Sequence, residues 1–350
     1  MSEVALYRKY RPGKWSEVVG QEHIVSVLEA AVKAGKTAHA YLFTGSRGTG
    51  KTSVARILAR ALGCSVNDLV EIDAASNTGV DDVRALQEGV ATLPFESPVK
   101  VYIIDEVHML SRQAFNALLK TIEEPPAHVV FIMATTELHK VPETILSRAE
   151  VHHFRAPAVP TLAKVVTKIA KAENFNLTKD AAELIAVLGD GSFRDTIGLL
   201  QKVANLSGDK ELTRAEVEQV TSAPAALLVR QLVIALTTGD LDKALAAVKQ
   251  ASDEGKDIRT FLKLAIHLVR AIMLAGYAAD LKKAILAEVG SEEAKLIEEI
   301  IADKAKLKKF PQVLRQLLAA YLETYQSAVP ELPLELALIE LLSLTAPEIK

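Results

Sequence analysis

Eight consecutive residues of this chain match the pattern G-x-x-x-x-G-K-[ST], which is typical of loops that hold phosphate groups. In order they are Gly45, Ser46, Arg47, Gly48, Thr49, Gly50, Lys51 and Thr52. A strand-like apolar run at 40–43 precedes them and a helix-like segment at 51–62 follows. In that context the glycines let backbone N–H groups curl around an anion, and the helix N-terminus adds positive potential. The pattern predicts a nucleotide site in which Lys51 reaches the β- and γ-phosphates and the Thr52 hydroxyl holds Mg²⁺.

Two adjacent carboxylates, Asp105 and Glu106, end the apolar run at 101–104. An apolar run that ends in two acids is a weak signal by itself, but it is a strong one downstream of a phosphate-binding loop. In phosphoryl transfer such acids hold the metal ion and orient the attacking water. We therefore expect Asp105 to lie behind Mg²⁺ and Glu106 to polarise the water.

The first 155 residues alternate strand-like and helix-like segments, which is typical of a parallel α/β sheet. The apolar runs are short and rich in β-branched residues, as in fully buried central strands. They lie at 40–43, 69–72, 101–104, 129–133 and 151–154. Helices are predicted between them at 22–34, 51–62, 80–91 and 112–122. The last of these should stop at Pro125.

No convincing strand follows Pro157 and Pro160, and residues 161–218 read as three short helices, the second ending near Gly189 and Gly191. After a break at 221–224 the pattern becomes long amphipathic helices. One predicted apolar face consists of Leu227, Leu228, Leu232, Val233 and Leu236. We expect three domains: an α/β nucleotide-binding domain at 1–157, a three-helix domain at 158–220 and an all-α domain at 221–350.

The composition and net charge of the chain bear on its class of protein and on its cellular compartment. The 350 residues are 49% hydrophobic and 24% charged, and the net charge of −3 gives no overall basic field for nucleic acid. A single cysteine, Cys64, excludes an internal disulfide and indicates a reducing compartment. The N-terminus lacks a secretory signal and the most apolar stretch, 261–279, contains charges, so we expect a cytoplasmic protein without a membrane span.

Several segments together resemble one family, the gamma/tau subunits of the bacterial DNA polymerase III clamp loader, which are AAA+ ATPases. They are LYRKYRP at 6–12, VVGQEH at 18–23, VEIDAASNTGVDDVR at 70–84, DEVHMLS at 105–111, NALLKTIEEPP at 116–126 and ATTE at 134–137. The resemblance is dense over about the first 200 residues; beyond them it rests mainly on helical character and on LPLELALIEL at 332–341.

The resemblance implies that residues 158–220 form a lid and residues 221–350 a collar that joins subunits, and it implies further site residues. Five residues match the segment that packs on the adenine of ATP: Tyr7, Arg11, Pro12, Val18 and Val19. Thr136 matches a polar sensor of the γ-phosphate or the attacking water. Arg148 matches a finger that projects onto ATP held by the adjacent subunit, and Arg194 matches a lid arginine that contacts the γ-phosphate of its own subunit. Without the family, a surface ion pair is the better interpretation of each arginine.

One departure from the family is substantial. Its members usually carry a small zinc module after the phosphate-loop helix, and Cys64 matches only the first cysteine of that module. A structural zinc site needs about four such ligands. We therefore expect no zinc here.

Contact with DNA is the least specific expectation. Residues 76–79, Ser-Asn-Thr-Gly, resemble a family loop that faces DNA, but loop and helix-cap chemistry explains the same residues. A basic cluster in the last region also reads either as a DNA contact or as a solvated helix face. It consists of Lys304, Lys306, Lys308 and Lys309.

The resemblance implies an Mg²⁺-dependent ATPase that loads a sliding clamp onto primer–template DNA as part of the polymerase holoenzyme. The implied partners are the clamp, the DNA and other loader subunits, and the ring holds either one copy of this chain or several. Two alternatives stay open. In the first, the chain is a different AAA+ machine, such as a junction helicase or an archaeal-type loader small subunit. In the second, it is a scaffold subunit without hydrolysis.

Overall fold

The computed structural model describes residues 4–76 and 86–343. The chain divides into two compact units, the first formed by Met1–Leu162 with Gly189–Gly198 and the second by Ala163–Leu188 with Leu199–Lys350. The domain boundaries expected after residues 157 and 220 stay predictions.

The first unit contains a five-stranded parallel sheet of order β2-β3-β4-β1-β5. Its strands are β1 (Ala40–Thr44), β2 (Leu69–Asp73), β3 (Lys100–Asp105), β4 (Val129–Thr135) and β5 (Glu150–His153). All five predicted strands and the α/β class are confirmed. Because the strands are parallel, their carboxyl ends lie at one edge of the sheet, where open α/β sheets bind ligands.

The expectation that every strand is fully buried was wrong for two of them. β1 and β4 are buried throughout and β3 along its middle, whereas β2 contains only half-buried and exposed residues and β5 has one buried residue, His152. The reason is their place in the sheet, since β2 and β5 form its two edges. The apolar content of a run does not by itself reveal whether the strand has one neighbour or two.

Helices cover both faces of this sheet. They are α2 (Glu22–Lys33) and α3 (Lys51–Ala61) on one face and α4 (Arg112–Glu123) and α5 (Glu143–Leu146) on the other; the short α1 (Leu6–Lys9) precedes them in the chain. Adjacent β1 residues face opposite layers: Tyr41 and Phe43 pack with α2 and α3, and Leu42 packs with α4. α4 starts at the Ser111 cap and stops before Pro125, as predicted. Residues 86–90 are helical, and the rest of the helix predicted at 80–91 lies mostly outside the described residues.

Four helices follow, where the sequence predicted three. They are α6 (Val159–Ala172), α7 (Lys179–Leu188), α8 (Phe193–Leu206) and α9 (Arg214–Thr221). A two-residue parallel pair, β6 (Asn176–Leu177) with β7 (Glu211–Leu212), also contradicts the expectation of no further strand. Strands this short carry no periodic signal. The capping box of Thr213 and Glu216, by contrast, was a readable start for α9.

The remaining helices belong to the second unit, and the helical character of this region was predicted. They are α10 (Ala226–Thr238), α11 (Leu241–Asp253), α12 (Ile258–Tyr277), α13 (Ala279–Glu288), α14 (Ser291–Ala302), α15 (Lys304–Leu307), α16 (Phe310–Glu323) and α17 (Leu332–Ser343). The long helix α12 contacts α10, α13, α14 and α16. The predicted apolar face of α10 is buried except at Leu227, which is 55% exposed, so its inclusion was wrong.

No single helix in the described ranges has both the length and the apolar composition needed to cross a membrane. One pair, Arg214–Thr221 with Ala226–Thr238, meets that criterion only when the two helices are joined across a bend of 88°.

Candidate functional site

Residues 45–50, the first six of the phosphate-loop pattern, form a tight connection between β1 and α3. Gly45 has a φ of +149°, and a Cβ there would lie 2.4 Å from the carbonyl oxygen of Phe154. Gly48 has a φ of +74°, and a Cβ there would lie 1.9 Å from Ser192 Oγ. The Phe193 N–H also donates to Gly48 O at 2.9 Å. These close approaches explain why glycine stands at both positions, although the pattern itself requires glycine only at Gly45.

Lys51 lies inside this loop at the start of α3. Its side chain is buried, and Nζ donates to Gly45 O at 2.7 Å and to Ser46 O at 2.9 Å. Burial lowers the pKa of Lys51, and the carboxylates of Glu106 and Asp105 oppose that shift. The ammonium is thus held beside two acids by carbonyls of its own loop.

The two predicted metal-binding residues are brought together. Thr52 Oγ1 donates to Asp105 Oδ2 at 2.7 Å, although 53 positions separate the residues in the sequence. Thr52 is near the start of α3, and Asp105 ends β3. A hydroxyl and a carboxylate are oxygen ligands of the kind that Mg²⁺ prefers, and they lie next to the predicted phosphate loop.

Glu106 and Thr136 are also brought together. Glu106 Oε2 accepts from Thr136 Oγ1 at 2.9 Å and from the Thr136 N–H at 3.2 Å. Glu106 itself has φ 49° and ψ 45°, in the left-handed region that a glutamate rarely adopts. The turn after β3 therefore directs this carboxylate toward the end of β4.

A second group of side chains lies around the first helix and consists of Arg194, Tyr7 and Arg11. The Arg194 guanidinium carbon lies 5.9 Å from the centre of the Tyr7 ring. Burial lowers the pKa of Arg11, and the positive charges of Arg56 and Arg194 lower it further. A cluster of cations beside an aromatic ring is suited to a polyanionic ligand that also carries a flat base.

The other residues expected at the adenine differ in exposure. Pro12 and Val18 are half-buried, and Val18 packs against the core layer that contains Tyr41 and Phe43. Val19 is 41% exposed. The assignment of these residues to the adenine stays a prediction.

The structure does not join Arg148 to these groups. Its guanidinium contacts Glu123 Oε1 at 2.7 Å, and donates to Thr144 O at 2.9 Å and to Ser147 Oγ at 3.0 Å. Both Arg148 and Glu123 are partly exposed. The side chain is therefore held at the surface by its own subunit.

The remaining loop residues and Cys64 have simple environments. Ser46 and Arg47 are exposed, and Thr49 is buried and donates through Oγ1 to Ser46 O at 2.9 Å. Burial is the main cause that raises the pKa of the Cys64 thiol. Within the described ranges, no three His, Cys, Asp or Glu side chains are grouped as a metal ion would require. The expectation that the chain carries no zinc stays a prediction. Of the loop at 76–79, only Ser76 lies within the described residues.

Sequence reasoning missed one buried residue that shapes the loop. Gln21 is fully buried, and its side-chain amide donates to Arg155 O at 2.7 Å and to Thr49 O at 3.4 Å. Its Oε1 accepts from the Arg155 N–H at 3.2 Å. The side chain thus ties the phosphate loop to the end of β5. No signal in the sequence marks this role, because a glutamine before a helix reads as a solvent-exposed cap.

Comparisons with known proteins decide the family. Residues 212–349 match the family model of DNA polymerase III subunits gamma and tau, domain III, and residues 20–77 and 65–158 match that of the DNA polymerase III delta subunit. The chain is 40% identical to DNA polymerase III subunit tau of Bacillus subtilis (strain 168), over 86% of this chain and 57% of that protein. The chain belongs to the DNA polymerase III gamma/tau family.

Other relatives and solved structures are consistent with this family. The chain is 38% identical to subunit tau of Escherichia coli (strain K12), over 78% of this chain and 46% of that protein. This gamma/tau chain thus spans about half the length of the curated relatives it matches. Its fold is similar to that of the Thermotoga maritima RuvB Holliday junction branch migration motor. That match has a TM-score of 0.52 and 22% identity, over 65% of this chain and 79% of the motor.

Proposed function

We propose that this gamma/tau chain is the ATP-hydrolysing motor subunit of a clamp loader, which loads a sliding clamp onto primed DNA during replication. The observation that carries the proposal is the convergence of Lys51, Thr52, Asp105, Glu106 and Thr136 at the carboxyl ends of β1, β3 and β4. These residues come from three segments that are distant in the sequence, and together they supply a cation, two metal ligands, a carboxylate and a hydroxyl.

The residues present fit ATP with Mg²⁺. The glycines of the loop leave backbone close to the place of the phosphates, and Lys51 Nζ can exchange its two carbonyl partners for phosphate oxygens. Thr52 Oγ1 and Asp105 Oδ2 would hold the metal ion from the protein side. When bound, Mg²⁺ neutralises charge on the transferred phosphoryl group.

Glu106 and Thr136 would act on the water and the γ-phosphate. The carboxylate of Glu106 accepts hydrogen bonds, so it orients a water whose proton it can receive. The Thr136 hydroxyl, which now donates to Glu106, would donate to the γ-phosphate or to that water. Arg194 would contact the same phosphate from its position over Tyr7.

Arg148 would complete a site on the neighbouring subunit. A guanidinium that stabilises charge in the transition state is worth roughly 10³ to 10⁵ in rate in related systems. The contacts of Arg148 with Glu123, Thr144 and Ser147 keep its guanidinium at the surface, where a neighbour could engage it.

The proposed partners are other loader subunits, the sliding clamp and primer–template DNA. Relatives titled as subunits of DNA polymerase III support assembly with further subunits. The second unit supports a collar, because its last two helices expose large apolar side chains that association would bury. These are Leu318, Leu322, Leu332, Leu336 and Ile339.

Glu106→Gln tests the proposal. In a loader assembled with companion subunits, clamp and primed DNA, we expect kcat for ATP to fall by about 100-fold or more, since the amide cannot accept a proton. ATP affinity should stay close to that of the wild type. The matched control is Glu29→Gln, which changes a carboxylate on the exposed side of α2. If the variant hydrolyses ATP as fast as the wild type, Glu106 is not the catalytic base; if the wild type hydrolyses none, the chain is a scaffold subunit.

A further inference from the structure

His108 occupies a buried position beside the proposed site that has no part in the function described above. It lies in the 3₁₀ turn Val107–Met109, directly after Glu106, and its side chain is 5% exposed. Its ring lies between two carboxylates. Nδ1 is 3.4 Å from Glu106 Oε2, and Nε2 is 3.3 Å from Glu137 Oε1.

Thr135 fixes the orientation of this ring. Thr135 is fully buried at the end of β4, and its Oγ1 lies 3.0 Å from His108 Nδ1. The same oxygen accepts from the Glu137 N–H at 3.0 Å, and it can also accept from a proton on Nδ1, which then faces Glu106 Oε2 as well. The imidazole is therefore held at three points: Thr135 and Glu106 on the Nδ1 side, and Glu137 on the Nε2 side.

The contact with Glu106 matters because the other donors to Glu106 belong to Thr136. In the proposed reaction the Thr136 hydroxyl is needed by the γ-phosphate or the water, and it then leaves Glu106. The carboxylate would lose its shortest hydrogen bond at the moment when its orientation decides the rate. The left-handed backbone conformation of Glu106 is also strained, and the contacts around it have to offset that strain.

We propose that His108 is a positioning residue for Glu106, which steers the carboxylate through Nδ1 while Thr135 and Glu137 fix the ring. The inference rests on the proposed function, because the position of Glu106 matters only if Glu106 orients water.

Glu137 belongs to the same arrangement. Its hydrogen bond to Lys140 lowers its pKa, and the positive potential of Lys140, His108 and His139 lowers it further, so the carboxylate that faces Nε2 stays ionised.

Two amide substitutions separate this role from simple packing. The side-chain nitrogen of asparagine falls close to the place of Nδ1, whereas that of glutamine falls close to Nε2. His108→Asn keeps a polar group toward Glu106 and Thr135, and His108→Gln keeps one toward Glu137. We expect kcat to fall by about 10-fold in His108→Gln and His108→Ala, and by no more than about 3-fold in His108→Asn, as for loss of one hydrogen bond to a charged group.

The assay is steady-state ATP hydrolysis by the assembled loader with clamp and primed DNA, together with binding of a fluorescent ATP analogue. We expect the affinity for the analogue to change little in all three variants, because Lys51 and the phosphate loop are untouched. Thr135→Val is a second, independent variant. It removes the hydroxyl that orients the ring at nearly constant volume, and kcat should fall without a change in affinity.

The outcomes separate the two proposals. If Glu106→Gln is inactive while every His108 variant equals the wild type, the inference is wrong and the proposed function stands. It is also wrong if Asn and Gln lose activity equally and in step with a lowered melting temperature, because that is the behaviour of a packing residue. A wild type without hydrolysis overturns both. If His108→Ala does not fold, the comparison of Asn with Gln decides.

Discussion

At the scale of one residue, the environment of Lys51 places a positive charge where the loop is expected to bind an anion. Its ammonium is buried beside Glu106 and Asp105 and is bonded to two loop carbonyls. We predict that Lys51→Ala lowers ATP affinity by at least about 10-fold, because it removes a charge-assisted contact to the phosphates. The measurement is titration with a fluorescent ATP analogue in the presence of Mg²⁺.

A thermal shift provides an independent check of the same substitution. A ligand at 100 times its Kd stabilises a protein by about 2.7 kcal/mol. ATP with Mg²⁺ should therefore raise the melting temperature of the wild type and of the control Lys36→Ala, whose lysine lies exposed before β1. Lys51→Ala should show little shift. An unchanged affinity in this variant would contradict the assignment of the loop.

The residues of the site were predictable to unequal degrees. Lys51, Thr52 and Asp105 stand at fixed places in local patterns, so the sequence was enough to propose them. Gln21 and His108 were not predictable, because their partners are distant in the sequence or are backbone atoms. Gln21, for example, contacts Arg155, 134 positions away. Only the closed fold brings such pairs together.

At the scale of elements, the five strands were predictable because each is a short apolar run between polar turns. Their order was not predictable, so edge strands β2 and β5 could not be told from interior ones. Hydrogen bonding between strands depends on which runs become neighbours, and that is decided by tertiary packing. The pair β6–β7 was missed for a different reason, since two residues cannot show a period.

A cluster of charged side chains joins four helices of the second unit. Glu183 on α7 has a buried Oε2 with no hydrogen-bond partner among the described residues. Glu293 on α14 is 3.4 Å from Arg214 and 3.8 Å from Arg230, and Arg214 also binds Glu218 at 3.0 Å. Burial raises the pKa of Glu183 to about 7; Glu293 and Asp180 add to the shift, and Arg214 and Lys179 oppose it.

This pKa shift predicts a stability that falls as pH rises. The folded state binds the Glu183 proton more tightly than the unfolded state, whose carboxyl has an ordinary pKa near 4.5. Ionisation of Glu183 between about pH 4.5 and 7 therefore costs the fold up to about 3 kcal/mol. We expect Glu183→Gln to match the wild type at pH 4 and to exceed it by about 1 to 3 kcal/mol at pH 8.

Urea unfolding of the full chain, followed by helical circular dichroism at both pH values, measures this difference. The control is Glu299→Gln, which changes an exposed carboxylate on α14 and should leave the pH dependence unchanged. A Glu183→Gln curve parallel to that of the wild type would show that Glu183 titrates normally in the folded protein.

At the scale of the whole molecule, the two key arginines have different environments. Arg194 lies over Tyr7 within the first unit, beside residues proposed for its own nucleotide. Arg148 is held at the surface by Glu123, and the target proposed for it is the nucleotide of another subunit. Because this ion pair is partly exposed, breaking it should cost at most about 1 kcal/mol of stability.

Mixing two inactive variants tests whether Arg148 acts on a neighbour. Lys51→Ala loses its own nucleotide but keeps the arginine, whereas Arg148→Ala keeps the nucleotide and loses the arginine. Each alone should lose most ATP hydrolysis in the assembled loader. In head-to-tail contacts between copies, an intact Lys51 meets an intact Arg148 of the neighbour at roughly a quarter of the junctions of a one-to-one mixture. About a quarter of the wild-type activity should therefore return. Mixtures as inactive as the separate variants would place Arg148 in its own subunit's site or outside the reaction.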